Sequence, residues 1–154
     1  FMDLTKNDIK LKVEASLIDQ KLYPLKWITF NNKTNPMEEI ENLKEVIEII
    51  KNEKLNKSII TDYQFISVIL GINDNSPSKY WYHYHVYPTK NHRLFDYYKE
   101  FFLEKLKKKN IKKIYVIKPL VGDRKVVETI FQDGCFSKQK KTEILDIYDI
   151  RKCF

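Results

Sequence analysis

Glycine is nearly missing from this chain of 154 residues: only Gly71, Gly122 and Gly134 occur. Scattered as they are, they cannot build a Gly-rich phosphate loop of the Walker or dinucleotide-binding type. Cysteine is limited to Cys135 and Cys153, so there is no Cys-x-x-Cys pair. No Gly-x-Ser-x-Gly elbow of a serine hydrolase occurs either. The longest apolar runs, such as Ile114 to Ile117, fall far short of the roughly 20 residues that carry a helix across a bilayer. No charged-then-apolar leader opens the sequence, so no signal peptide is expected within it, and a soluble piece is expected. Arginine is scarce as well: Arg93, Arg124 and Arg151 are the only three among 28 basic residues. Ala15 is the single alanine. Such a composition, rich in Lys, Asn, Ile and Tyr, is what an A+T-rich coding sequence produces. The net charge of +7 therefore reads as a solvated basic surface. Sites that grip nucleic acid favour arginine for bidentate contacts, and its scarcity argues against a nucleic-acid partner.

What is present points to a folded globule. Hydrophobic residues make up 43% and aromatics 14%, enough for a real core in one domain spanning 1–154. Residues 1–30 read as an extended segment packing on that domain: Ile9, Leu11 and Val13 alternate with charged residues, and Leu25 to Ile28 could form a second strand. Asn31 to Thr34 is a turn. Asn35-Pro36-Met37-Glu38 then has the form of a helix start, with a cap, a first-position proline and an early acid. Ile40, Leu43, Ile47 and Ile50 recur at helical spacing up to about Asn52.

The octet Ser58 to Phe65 is the most informative stretch. An apolar run ends abruptly in Thr61-Asp62-Tyr63-Gln64, and a second apolar run to Leu70 stops at Gly71. A buried parallel strand delivering polar groups to its carboxyl end before a helix has this form, and ligands bind at such ends in open α/β sheets. Asn73 to Pro77 is a loop, and Tyr80 to Tyr87 reads as an aromatic strand closed by Pro88. Arg93 to Lys109 is a strong helix, and Ile114 to Ile117 a buried strand. Asp123 can cap a helix through Val126, Val127, Ile130 and Phe131 that ends at Gly134, and Glu143 to Ile150 is a last strand. Strands alternating with helices predict a three-layer α/β domain with a largely parallel sheet, Rossmann-like or flavodoxin-like, carrying extra strands at both ends.

Two constellations could carry chemistry. Asp62, beside Tyr63 and Gln64, could contact a sugar hydroxyl, a metal or a proton, although capping of the following helix by Thr61 or Asp62 is the plainer role. His83 and His85 would share one face of a strand, and with Asp62 they could serve a stand-alone metal-dependent hydrolase or phosphoesterase. Trp81-Tyr82-His83-Tyr84-His85 also resembles a fragment of the histidine-triad hydrolase motif, but Trp81 occupies the first histidine position. A nuclease-like pair of Glu53 and Asp62 can be drawn from the scattered acids, with negligible specificity. Cys135 and Cys153 are either two free thiols or one disulfide. The polar run Ser137 to Thr142 between them would allow a hairpin-like return that brings the sulfurs together.

Several segments together resemble a known group of proteins: Pro36…Glu39-Ile40, Ser58 to Ser67, Ser76-Pro77-Ser78, Tyr87-Pro88, Tyr97-Tyr98-Lys99…Phe101, Ile114 to Ile117 and Cys135…Cys153. From about Leu25 onward the chain is similar to the C-terminal soluble domain of polytopic bacterial membrane proteins of the lipid-phosphate-sugar-dependent glycosyltransferase kind. The resemblance implies a domain on the extracytoplasmic, periplasmic face of an inner membrane, anchored through upstream transmembrane helices. In that setting Cys135 and Cys153 are expected to be bridged. It also implies that the domain holds no catalytic residue, metal or cofactor and assists in binding an acceptor glycan or lipid-linked sugar. Asp62, Tyr63, Gln64, His83 and His85 are then candidate binding residues.

Overall fold

The computed structural model of the protein describes residues 11–29, 35–78, 81, 87–118, 125–131 and 134–154. By its internal contacts the chain divides into two compact units, Phe1–Asn52 and Glu53–Phe154.

In the first unit the strongest element is helix α1, Pro36–Lys51. Asn35 caps it by accepting the Met37 amide through Oδ1 at 2.9 Å, and Pro36 stands where an amide would have no partner. Ile40, Leu43, Val46, Ile47 and Ile50 are buried along one stripe. Ahead of the helix, β1 (Val13–Glu14) and β2 (Lys26–Trp27) form an antiparallel pair, Val13 opposite Trp27. The extended segment expected up to residue 30 is broken by two 3-10 turns, Ala15–Leu17 and Gln20–Leu22. Asp19 favours the second by accepting the Lys21 amide. Ile9 and the Asn31 to Thr34 turn lie outside the described residues.

The second unit is built on a four-stranded sheet in the order β3-β4-β6-β5, from β3 (Lys57–Thr61), β4 (Lys113–Ile117), β5 (Ser137–Lys140) and β6 (Leu145–Asp149). Only β3 and β4 are parallel, with Lys57 opposite Lys113 and Thr61 opposite Ile117. β6 runs antiparallel to both β4 and β5. This corrects the expectation of a largely parallel, Rossmann-like or flavodoxin-like sheet: among the described residues the fold is α/β with two small sheets, the larger one mostly antiparallel. The physical reason lies in what apolar runs encode. Ile59-Ile60 and Ile114 to Ile117 are buried on both faces as their composition demands, but burial says nothing of strand direction. Direction is set by the connection. β5 is Ser-Lys-Gln-Lys, exposed throughout, and it pairs with β6 as a hairpin. With no apolar residue it gives no strand signal, and its lysines suit an edge.

Helix α2 (Phe65–Leu70) follows β3 and stops at Gly71, whose φ of +63° is a left-handed conformation that glycine adopts without a Cβ penalty. Helices α3 (Phe95–Lys108) and α4 (Val126–Ile130) pack on one face of the sheet. There Phe102, Leu106, Val127 and Ile130 meet Ile60, Ile114, Val116 and Tyr148 in one core cluster. Trp81 is buried in it, 4.9 Å from the Tyr87 ring centroid and 6.3 Å from that of Phe102, and its indole N–H donates to Ser76 Oγ at 3.0 Å. Trp81 is thus a core anchor. Apart from Trp81 and Tyr87, the expected strand Tyr80 to Tyr87 lies outside the described residues, as does the expected helix cap Asp123. Gly134 does not end α4, which already turns extended at Phe131.

Candidate functional site at the carboxyl edge of the parallel pair

Because β3 and β4 are parallel, their carboxyl ends leave the sheet side by side at Thr61 and Ile117. Asp62 and Lys118 are the residues that follow. Thr61 Oγ1 accepts the Tyr63 amide at 3.0 Å, and Gln64 Nε2 donates to the Thr61 carbonyl at 2.9 Å. These two bonds fold the chain sharply out of β3. Tyr63 is buried and meets Phe65 edge-on, Gln64 is exposed, and Asp62 is half-buried. No side chain caps α2 at Gln64, its N-cap residue, so Thr61 bends the strand exit rather than capping the helix.

Lys118, from the neighbouring strand end, reaches Asp146 Oδ2 at 3.1 Å, and Lys138 reaches the same oxygen at 3.3 Å. The Asp146 side chain is only 4% exposed, a charge that two ammonium groups stabilise against the cost of burial. Lys138 also binds Glu128 Oε1 at 2.9 Å, and Tyr148 donates its phenol to that oxygen at 2.6 Å. Burial would raise the Glu128 carboxyl, yet the Tyr148 and Lys138 hydrogen bonds outweigh it and hold it below the usual range. Burial, with the adjacent Glu128 carboxylate, pushes the Tyr148 phenol up. Glu128 Oε2 is buried and accepts no hydrogen bond from the described residues. Sequence reasoning missed this network altogether. Its only trace is the alternation that puts Asp146 and Tyr148 on one face of β6, opposite Lys140 and Lys138 on β5.

The nuclease-like pair does not form. Glu53 precedes β3 and Asp62 follows it, so a five-residue strand, about 16 Å at its normal rise, separates them. Glu53 belongs to a different arrangement at the amino end of the sheet. Its Oε1 accepts the Leu55 amide at 2.9 Å, while its Oε2 accepts from Lys113 at 2.5 Å and from the Tyr115 phenol at 3.0 Å. Burial acts to raise its carboxyl, but the Lys113, Leu55 and Tyr115 hydrogen bonds bring it down to about 2.

The candidate metal ligands His83 and His85 lie outside the described residues. Among the described residues no group of three or more His, Cys, Asp or Glu side chains could hold a metal ion. Cys135 and Cys153 are joined as a disulfide. It closes the β5–β6 hairpin at its open end, since Cys135 precedes β5 and Cys153 follows β6. Beside it lies a cleft of about 470 Å³ lined by Gly134, Cys135, Phe136, Ser137, Asp149, Arg151 and Lys152. Arg151 grips Asp149 through Nε at 2.9 Å and through a terminal nitrogen at 2.6 Å. This holds the Asp149 carboxyl below its usual range.

No helix among the described residues is long and apolar enough to cross a membrane. No family model matches the chain, and no curated protein or solved structure matches it significantly.

Proposed function

We propose that this chain is an extracytoplasmic domain of a membrane-anchored, glycosyltransferase-like protein, non-catalytic by itself, that helps to hold the acceptor glycan or lipid-linked sugar. The observation that carries the reading is the cleft beside the Cys135–Cys153 disulfide. A disulfide in a small domain belongs to an oxidising compartment such as the periplasm. The cleft offers the groups that a sugar uses: an aromatic ring in Phe136, a hydroxyl in Ser137, and a carboxylate–guanidinium pair in Asp149 and Arg151. Arg151 is exposed and keeps guanidinium N–H groups for adjacent sugar hydroxyls. The cleft volume suits one or two sugar rings on the scale of small-molecule pockets, roughly 300–1,000 Å³.

The test has two arms. Protein exported to a periplasm should have the mass of the oxidised form, and a glycan screen followed by NMR titration should shift the amide signals of Ser137 and Arg151. Arg151→Ala should remove that response while the far-UV spectrum stays unchanged. Two free thiols in exported protein, together with no glycan response, would overturn the reading.

A further inference from the structure

The cleft beside the Cys135–Cys153 disulfide is one-sided in what it offers a ligand: its carboxylate is engaged, and its donors are left over. Among the described residues that line it, Asp149 is the only carboxylate, and Arg151 and Lys152 are the two cations. Oδ1 of Asp149 accepts the Arg151 amide at 3.1 Å and its Nε at 3.0 Å. Oδ2 accepts the same Nε at 2.9 Å and one terminal nitrogen at 2.6 Å. The partners are two residues apart in the chain, so this grip is local and in place before a ligand arrives.

The other terminal nitrogen of Arg151 makes no hydrogen bond among the described residues, and its N–H groups stay free. Lys152 is exposed and has no acid partner among the described residues. Glu53 also acts on the Arg151 charge, but Lys113 and the Tyr115 phenol hold that carboxylate. A sugar hydroxyl both donates and accepts, and its proton would find no free carboxylate here. An oxyanion only accepts, and it meets a guanidinium and an ammonium in bonds roughly twice as strong as neutral ones. Phe136 supplies the other wall. Its ring is fixed by contacts with Phe131 and Tyr148, at 6.3 Å and 5.8 Å between centroids.

We infer, resting on the glycan reading above, that this cleft takes an acidic sugar, a ring bearing a carboxylate or a phosphate. The oxyanion lies on Arg151 and Lys152, and the ring lies against Phe136. A bare anion would leave the Phe136 wall unused, and a neutral sugar would leave the two cations without a counter-charge.

The experiment is an NMR titration of the oxidised chain at low salt, following the Ser137 and Arg151 amides. The probes are methyl glucoside, methyl glucuronide, glucose 1-phosphate and inorganic phosphate. An acidic sugar should bind about tenfold tighter than the glucoside, the effect of one charge-assisted hydrogen bond. Whichever acidic sugar binds tighter identifies the oxyanion. Raising the salt to about 0.5 M should shrink that advantage and leave the glucoside affinity as it was. Lys152→Gln should cut the advantage to about threefold and Lys152→Arg should keep it, with the thermal midpoint unchanged in both because the side chain is exposed. Glucoside binding as tight as that of both acidic sugars would overturn this inference and leave the glycan reading standing. So would inorganic phosphate that matches the acidic sugars, or an advantage that Lys152→Gln leaves whole. No response to any sugar would overturn both.

Discussion

Tyr115 and Tyr148 stand on opposite faces of one sheet, and each donates its phenol to a glutamate that a lysine also holds. The two trios differ in what they leave over. Glu53 has both carboxylate oxygens engaged, one by the Leu55 amide and the other by Lys113 and Tyr115. Glu128 takes Tyr148 and Lys138 on a single oxygen, its other oxygen is buried without a hydrogen bond among the described residues, and Lys138 is shared with Asp146. The first trio is a closed clamp on the amino end of the sheet. The second belongs to a wider network that reaches the carboxyl edge of the parallel pair through Lys118. A carboxylate with both oxygens engaged is a structural element, whereas one with a whole oxygen left over can still accept a hydrogen bond.

The largest way to break this comparison is covalent. Two members of the second trio, Lys138 and Tyr148, sit on the hairpin that Cys135 and Cys153 close, across a sequence separation of 18 residues. Cys135→Ser with Cys153→Ser should cost about 3 kcal/mol in urea unfolding, the chain-entropy value for a loop of that size. A loss under about 1 kcal/mol would mean that the hairpin is held by its own pairing. Next comes Glu53→Gln, which leaves Lys113 facing a neutral amide in a largely covered place. It should cost about 1–3 kcal/mol by the same measurement.

Glu128→Gln should cost less, about 1 kcal/mol or below, because Lys138 retains Asp146 and the amide oxygen can still accept from Tyr148. Equal losses at the two glutamates would erase the distinction between closed and open trios. Acid gives a graded version of the same test. The Glu53 carboxyl titrates near 2 when folded, against 4.5 for a free glutamate. In that window the unfolded chain binds more protons, so the stability Glu53 contributes is complete above pH 4.5 and is lost as the pH falls towards 2. Glu53→Gln should flatten that part of the profile. The smallest effect belongs to Lys140→Ala, which breaks an exposed pair with Glu143 and should change stability by no more than about 0.5 kcal/mol.

Much of this molecule was legible from local pattern. α1 announces itself through Asn35, Pro36 and the Ile40–Leu43–Ile47–Ile50 stripe, because capping and helical periodicity act within a few residues. The strands around Ile59-Ile60 and Ile114 to Ile117, the Gly71 stop and helix α3 were legible for the same reason. β5 was not. Ser-Lys-Gln-Lys becomes a strand only because β6 offers it a partner, and that pairing makes the sheet mostly antiparallel. The Glu128–Lys138–Asp146–Lys118 network was invisible for a like reason, since its members are spread over α4, β5, β6 and the residue that follows β4, and meet only when the sheet register brings them together.

The sequence by itself determined where helices start, which runs are buried, and that Thr61-Asp62-Tyr63-Gln64 ends a strand, because capping, periodicity and hydrophobicity act locally. Strand direction, the company Glu53 and Glu128 keep and the Cys135–Cys153 bond were decided only by the tertiary structure. Each of these depends on residues far apart in the chain that no local preference can bring together.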